Sequence, residues 1–238
     1  MNSLDKNAIK NFYENIENIW PQNNPWFSYL KSGIEKYIKK YCKSSDNPYI
    51  LNAGSGGNDY GISSDNMYHV DIAEKNIAHL KNASVASIED LTFSDGMFDY
   101  IICVGSVLNY CDAIKAISQM SRVLKKNGKL ILEFDNSFNF EYSGGKEYGK
   151  SAAIVDKNFM NQPHNLWIYS YDYIKRILKD YSFGILNFSA LHILSAWYYK
   201  RCKNENIAAK LAKFDHILQF IPYFKKRANN IILLCRKL

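Results

Sequence analysis

The first sign of ligand chemistry in this chain is Leu51-Asn52-Ala53-Gly54-Ser55-Gly56-Gly57, a glycine-rich run that follows the short apolar stretch Tyr49-Ile50-Leu51. Glycine has no Cβ, so its N–H can approach a ligand closely and its backbone can take the positive φ of a tight loop. An ordinary strand-to-loop turn would use the same residues. A dinucleotide fingerprint calls for glycine at position 59, where this chain has Asp59, so nicotinamide or flavin binding loses ground. Asp71 ends the next strand-like run, Met67-Tyr68-His69-Val70. A carboxylate at that point can accept hydrogen bonds from both hydroxyls of a ribose. It can equally cap the helix that follows, and the two roles can coexist. Only 17 residues separate Asp71 from Gly54, which leaves room for a truncated helix or a loop between the two strands.

The elements that must position these residues follow from hydrophobic periodicity. Residues 1–45 carry apolar positions at helical spacing, and Pro21 and Pro25 divide them into two helices around a turn. Residues 46–136 alternate strand and helix signals. Ser84–Ile88 and Phe98–Val104 read as strands, Ala113–Lys125 as an amphipathic helix stopped at Asn127-Gly128, and Lys129–Phe134 as a buried strand. Such alternation with short turns predicts a parallel sheet covered by helices. Residues 136–168 are polar and contain glycine, and read as an excursion above the sheet. Beyond them, Ser170–Leu178 reads as helix, Phe183–Phe188 as strand, 196–220 as helix and Ile231–Cys235 as a closing strand. The domain reading is therefore a helical cap, 1–45, and one α/β domain, 46–238, holding the excursion and a basic helical insertion at 196–228.

Composition narrows the rest. No run approaches the roughly 20 uncharged apolar residues that a membrane helix needs. The polar N-terminus lacks a signal-peptide core. The five cysteines, at 42, 103, 111, 202 and 235, have no metal-ligand spacing. A reduced cytoplasmic protein without a structural metal is expected. From Trp197 onward ten basic residues face only Glu205 and Asp215, so this segment carries +8 of a chain total of +7. Such a tail favours phosphates, anionic glycans or a membrane surface, although a solvated helical face has the same composition.

Taken in order, Asn52-Ala-Gly-Ser-Gly-Gly, His69-Val-Asp71-Ile-Ala, Ala86-Ser87-Ile88-Glu89-Asp90-Leu91-Thr92-Phe93 and Phe98-Asp99-Tyr-Ile-Ile resemble the class I S-adenosylmethionine-dependent methyltransferases. The resemblance continues through Val104-Gly105-Ser106-Val107-Leu108-Asn109-Tyr110 and Arg122-Val-Leu-Lys-Lys-Asn-Gly128, and is closest to the small-molecule, ubiquinone-biosynthesis-like group. It implies a Rossmann-like, seven-stranded, mostly parallel sheet with an antiparallel last strand, helices on both faces and an N-terminal cap. It also implies S-adenosylmethionine as cofactor. Gly54, Ser55, Gly56 and Gly57 would wrap the methionine portion, Asp71 would hold the ribose and Ile72 would pack on the adenine. Ser87 and Ile88 would border the adenine edge, and Val104, Gly105 and Ser106 would floor the sulfonium. Asn52 and Ser87 stand where the family usually has acidic residues, so they supply hydrogen bonds without charge.

The resemblance further implies methyl transfer to a small-molecule, glycan or glycolipid acceptor, with oxygen as the expected atom. Much of such a reaction is positional. A base is needed for a poor nucleophile such as a sugar hydroxyl. His164 and His192 are the candidates, while Asn109 and Tyr110 sit where acceptor-side groups are expected. His69 should point away from the pocket. A nucleic-acid methyltransferase fits the basic tail, but Val104-Gly105-Ser106 is not the Asn/Asp-Pro-Pro-aromatic turn of amino-methylating enzymes, and no RNA-binding module is visible. A catalytically inactive cofactor-binding regulator is the remaining alternative, motivated by Asn52 and Ser87.

Overall fold

The computed structural model describes residues 4–238 except 17, 22, 43–46, 63 and 161, so 1–3, 17, 22 and 43–45 of the expected cap lie outside the described residues. The strands are β1 (Ile50–Ala53), β2 (Met67–Asp71), β3 (Ala83–Val85), β4 (Phe98–Cys103), β5 (Leu124–Asp135), β6 (Ala152–Phe159), β7 (Gln162–Tyr169), β8 (Phe183–Leu191) and β9 (Asn230–Lys237). Seven of them form one sheet in the order β3-β2-β1-β4-β5-β9-β8. β1 to β5 pair in parallel, and β9 runs antiparallel to both of its neighbours. The helices are α1 (Lys6–Asn15), α2 (Pro25–Tyr41), α3 (Glu74–Ile77), α4 (Ala113–Val123), α5 (Tyr171–Asp180), α6 (Leu194–Cys202), α7 (Glu205–Ala209), α8 (Asp215–Leu218) and α9 (Pro222–Lys225).

Side chains alternate across a strand, so neighbours in one run feed opposite faces. Ile101, Leu130, Leu132 and Phe134 pack on one face with Ile117 and Met120 of α4 and Ile174 and Ile177 of α5. Ile102, Ile131, Ile232 and Leu234 pack on the other with Leu30, Ile34 and Ile38 of α2. Covering both faces explains why these strands are apolar throughout. α2 therefore forms one of the two layers, whereas α1 lies over the carboxyl ends of the strands, where Ile9 and Tyr13 face Gly54 and Gly105 across a cavity. The starts of both helices are set by side-chain caps: Asp5 accepts from the N–H groups of Asn7 and Ala8, and Asn24 from those of Trp26 and Phe27, with Pro25 in the first turn of α2. Asp5→Ala should cost about 1 kcal/mol, lowering the Tm by roughly 2–4 °C in a thermal melt.

Three local expectations differ from the structure. The excursion contains a hairpin, β6 paired with β7, whose alternation was hidden by polar outward residues. α4 stops at Val123 and β5 begins at once, because Leu124 is already extended. Asn127, at φ 65°, and Gly128 lie at a register shift inside that strand and do not cap the helix. The 196–220 helix is broken into short helical turns, of which α6 ends at Lys203 in the left-handed region. Between β1 and β2 the described residues form turns only, which accounts for the short spacing to Asp71.

Candidate active site

The glycine loop is stitched to the neighbouring strand by backbone bonds, since Gly54 and Ser55 N–H both donate to Val70 O at 2.8 and 3.0 Å. Gly54 has φ +74°, and a Cβ there would lie 2.3 Å from Val107 Cγ1. Gly56 has φ +50°, and its Cβ would lie 2.1 Å from Ile19 Cδ1. Only glycine leaves this cradle open. Asp71, at the carboxyl end of β2, accepts from Gly56 N–H at 2.8 Å and from Ala73 N–H at 2.9 Å. Burial pushes its carboxyl pKa up, and these backbone donors pull it back.

Gly54, Gly56, Asp71, Ile72, Ser87, Ile88, Val104, Gly105 and Ser106 line one cavity of about 250 Å³. Ser55, Gly57 and Asn52 do not line it. The Ser55 hydroxyl accepts from Gly57 N–H, a Cβ on Gly57 would strike Asn76 O, and the Asn52 amide donates to Asn58 O at 2.5 Å. These three residues hold the loop's shape from behind. Trp20 lies over Gly105, and its indole N–H is buried with no hydrogen-bond partner among the described residues. A buried donor without a partner is costly. Here it borders the cavity and suits an anionic group such as the carboxylate of an amino-acid portion. The glycine cradle, the Asp71 carboxylate and this orphaned donor together fit an adenosyl amino acid.

The same cavity extends from Ser106 to a second cluster. Ser106, at φ 60°, donates its backbone N–H to Glu133 at 2.6 Å and its hydroxyl to Asp135 at 2.9 Å. Asn230 donates to both carboxylates, at 2.7 and 2.9 Å. Beyond them, Tyr110, after β4, meets His164, from β7, with the Tyr110 hydroxyl 2.5 Å from His164 Nε2. Tyr13 of α1 packs edge-on against Tyr110, ring centroids 5.7 Å apart. Burial lowers the His164 pKa and raises that of Tyr110, so both are neutral near pH 7. Lys157 pairs with Glu141 at 2.7 Å and both line the cavity. Burial alone would lower the lysine's pKa, but Glu141, Tyr142 and Asp135 raise it, so it stays charged.

Asn109 is placed differently. It is buried, accepts from Asp135 N–H at 2.9 Å, donates to Trp167 O at 2.6 Å, and does not line the cavity. Its amide ties β5 to β7. His192 also lies away from the cavity, stacked on Trp26 at 3.7 Å and bonded to Ser195. Burial lowers its pKa to about 3, which suits a neutral packing imidazole. His69 points away from the cavity and is buried.

Sequence reasoning missed Glu133, Asp135, Glu141 and Lys157. The first two were visible in principle: two carboxylates at i and i+2 near the carboxyl end of a strand share one face. Glu141 and Lys157 come from the irregular excursion and its hairpin, whose pairing no local pattern specifies. Burial, and then Asp135, push the Glu133 pKa from 4.5 to about 7. A carboxyl group raised in the folded state contributes stability that is complete below its unfolded pKa and is lost as pH rises through the folded one. The stability of wild type relative to Glu133→Gln should therefore decline as pH rises from 4 to 8, a difference in which the opposite, shared contribution of the lowered His192 pKa cancels; a pH-independent difference in denaturation would count against it.

A family model described as a methyltransferase domain matches residues 52–132, the stretch from the glycine loop through most of β5. An uncharacterised protein of Methanocaldococcus jannaschii is 29% identical over 140 residues, 52% of this chain and 59% of that protein. The ubiquinone/menaquinone biosynthesis C-methyltransferase of Rickettsia felis is 33% identical over 111 residues, 37% of this chain and 45% of that enzyme. The chain thus spans about half the length of the curated relatives it matches. Among solved structures, the cyclase SpnF superposes with a TM-score of 0.63 at 14% identity, covering 99% of this chain and 97% of its own. Geranyl diphosphate C-methyltransferase from Streptomyces coelicolor, crystallised with S-adenosylhomocysteine, gives 0.61 at 10% identity and covers 100% of both chains. The strand order with its antiparallel β9, the helices on both faces and the matched stretch give one conclusion: the chain has the class I S-adenosylmethionine-dependent methyltransferase fold, and S-adenosylmethionine is the cofactor of that fold.

Proposed function

We propose that the protein transfers a methyl group from S-adenosylmethionine to a small-molecule acceptor. One observation carries this reading: a single cavity joins the glycine cradle and Asp71 to the Tyr110–His164 pair across Gly105 and Ser106. Asp71 would hold the ribose, the Gly54–Gly56 backbone the methionine portion, and Trp20 Nε1 its carboxylate. The cofactor supplies a sulfonium methyl open to in-line displacement. At the far end Tyr110, Tyr13 and Phe159 exclude water and offer flat apolar walls. The neutral His164 imidazole can take a proton relayed through the Tyr110 hydroxyl, which is the help a hydroxyl acceptor needs. Oxygen is accordingly the acceptor atom in this reading.

The ubiquinone-biosynthesis-like grouping, a glycan or lipid-linked acceptor and a cytoplasmic location belong to the same proposal. The partial matches to the quinone-pathway enzymes and the apolar walls support the first two. No helix is long and apolar enough to cross a membrane among the described residues. A non-methylating role has support from Asn52, whose amide is used up on the loop, and from the likeness in fold to a cyclase. The two readings separate on turnover. Cofactor carrying a deuterated methyl group, incubated with the protein and a metabolite extract, should yield S-adenosylhomocysteine and a labelled small molecule. Tight cofactor binding with no label transferred to any fraction would favour the non-methylating role.

A further inference from the structure

The turns α7 to α9 carry a crest of large apolar side chains in water: Phe214, Ile217, Phe220, Ile221 and Tyr223 are all exposed, Phe220 by 81%. Single exposed apolar residues are ordinary, whereas a contiguous set marks an interaction surface. The spacing 214, 217, 220 keeps Phe214, Ile217 and Phe220 on one side of a helical path linked by bonds such as Phe220 N–H to Ile217 O, and the extended Ile221 then leads into α9, which carries Tyr223. Lys210, Lys213 and Lys226 are exposed around the crest, and the Arg227 guanidinium stacks on Tyr223 at 3.8 Å.

The segment's only two carboxylates are withdrawn from this face. Asp215 is fully buried and accepts from Ile193 N–H, Leu194 N–H and the Ser195 hydroxyl. Glu205 is half-buried, lines the cavity and accepts from Asn24. What remains outside is apolar and cationic, the composition of an interfacial helix on anionic lipid. A second copy of the chain is disfavoured as occupant, because it would set one cationic crest against another.

We propose that this crest seats the protein on an anionic lipid bilayer, with Phe214, Ile217, Phe220 and Tyr223 among the headgroups and the lysines against lipid phosphates. The proposal does not rest on methyl transfer.

Flotation of the full chain with phosphatidylcholine vesicles, containing or lacking phosphatidylglycerol, tests it. Binding should require phosphatidylglycerol and weaken with salt. It should fall about tenfold or more in the double variants Phe220→Ser/Tyr223→Ser and Lys213→Glu/Lys226→Glu, whose melting curves should match wild type. Lack of flotation, equal binding to both vesicle types, or variants that bind like wild type would overturn the proposal. So would a dimer in sedimentation that Phe220→Ser dissociates, which would give the crest to self-association.

Discussion

Asp71→Ala should weaken S-adenosylmethionine binding on the order of a hundredfold, with the fold retained. Two hydrogen bonds from ribose hydroxyls to a carboxylate are worth about 1.5–3 kcal/mol each, so losing both gives that factor even at the lower bound. A second effect adds to it. Without ligand, the carboxylate already holds Gly56 N–H and Ala73 N–H, so its removal also loosens the cradle that must receive the methionine portion. Asp71→Asn separates the two contributions, because the amide oxygen keeps one acceptor and loses the charge. Calorimetric titration of both variants should rank them wild type, Asn, Ala. Equal affinity in all three would leave Asp71 as a cap for the turn at Ala73 and nothing more.

His164→Gln is expected to lower turnover by about 10²–10⁴ while leaving S-adenosylhomocysteine affinity unchanged, the range for losing a general base. The imidazole is buried, neutral and 2.5 Å from the Tyr110 hydroxyl, so it can accept a proton without first losing one. Tyr110→Phe should reproduce much of the loss, because the relay passes through its oxygen. A merely structural His164 makes a different prediction. The ring packs on Phe12 at 4.7 Å, and if packing were its only role, Gln would shift the melting temperature and leave the kcat pH profile in place.

The sheet was legible because its signals are local. The apolar runs at Ile50, Val70, Ile101 and Leu130 are bounded by turns, and the αL-prone Gly54 and Gly56 mark the loop without help from distant residues. The residues lining the proposed cofactor end of the cavity stand out for the same reason, since Gly54, Asp71, Ile88 and Gly105 each sit at or just beyond a strand's carboxyl end. The far end was legible only in part: Tyr110 and His164 stand out in the sequence, whereas their pairing does not. It is assembled from α1, the turn after β4, the end of β5 and the hairpin, so Tyr13, Tyr110, Asp135 and Lys157 meet only through tertiary packing. Asn109 shows the same limit from the other direction. Adjacent to Tyr110 in sequence, it faces the opposite way and spends its amide on the Asp135 and Trp167 backbone. The proposed membrane-facing crest was half visible: charge counting found the lysines, but only the structure shows that the segment's own Asp215 is buried away from them.

The central claim is that the glycine loop and Asp71 form an S-adenosylmethionine site, and calorimetric titration of the intact chain with S-adenosylmethionine and S-adenosylhomocysteine tests it most directly. Saturable one-to-one binding of both, with quenching of the buried Trp20 as the orphaned indole N–H finds its partner, is the predicted result. Absence of binding by either ligand would contradict the account and return Gly54–Gly57 to the status of a structural turn.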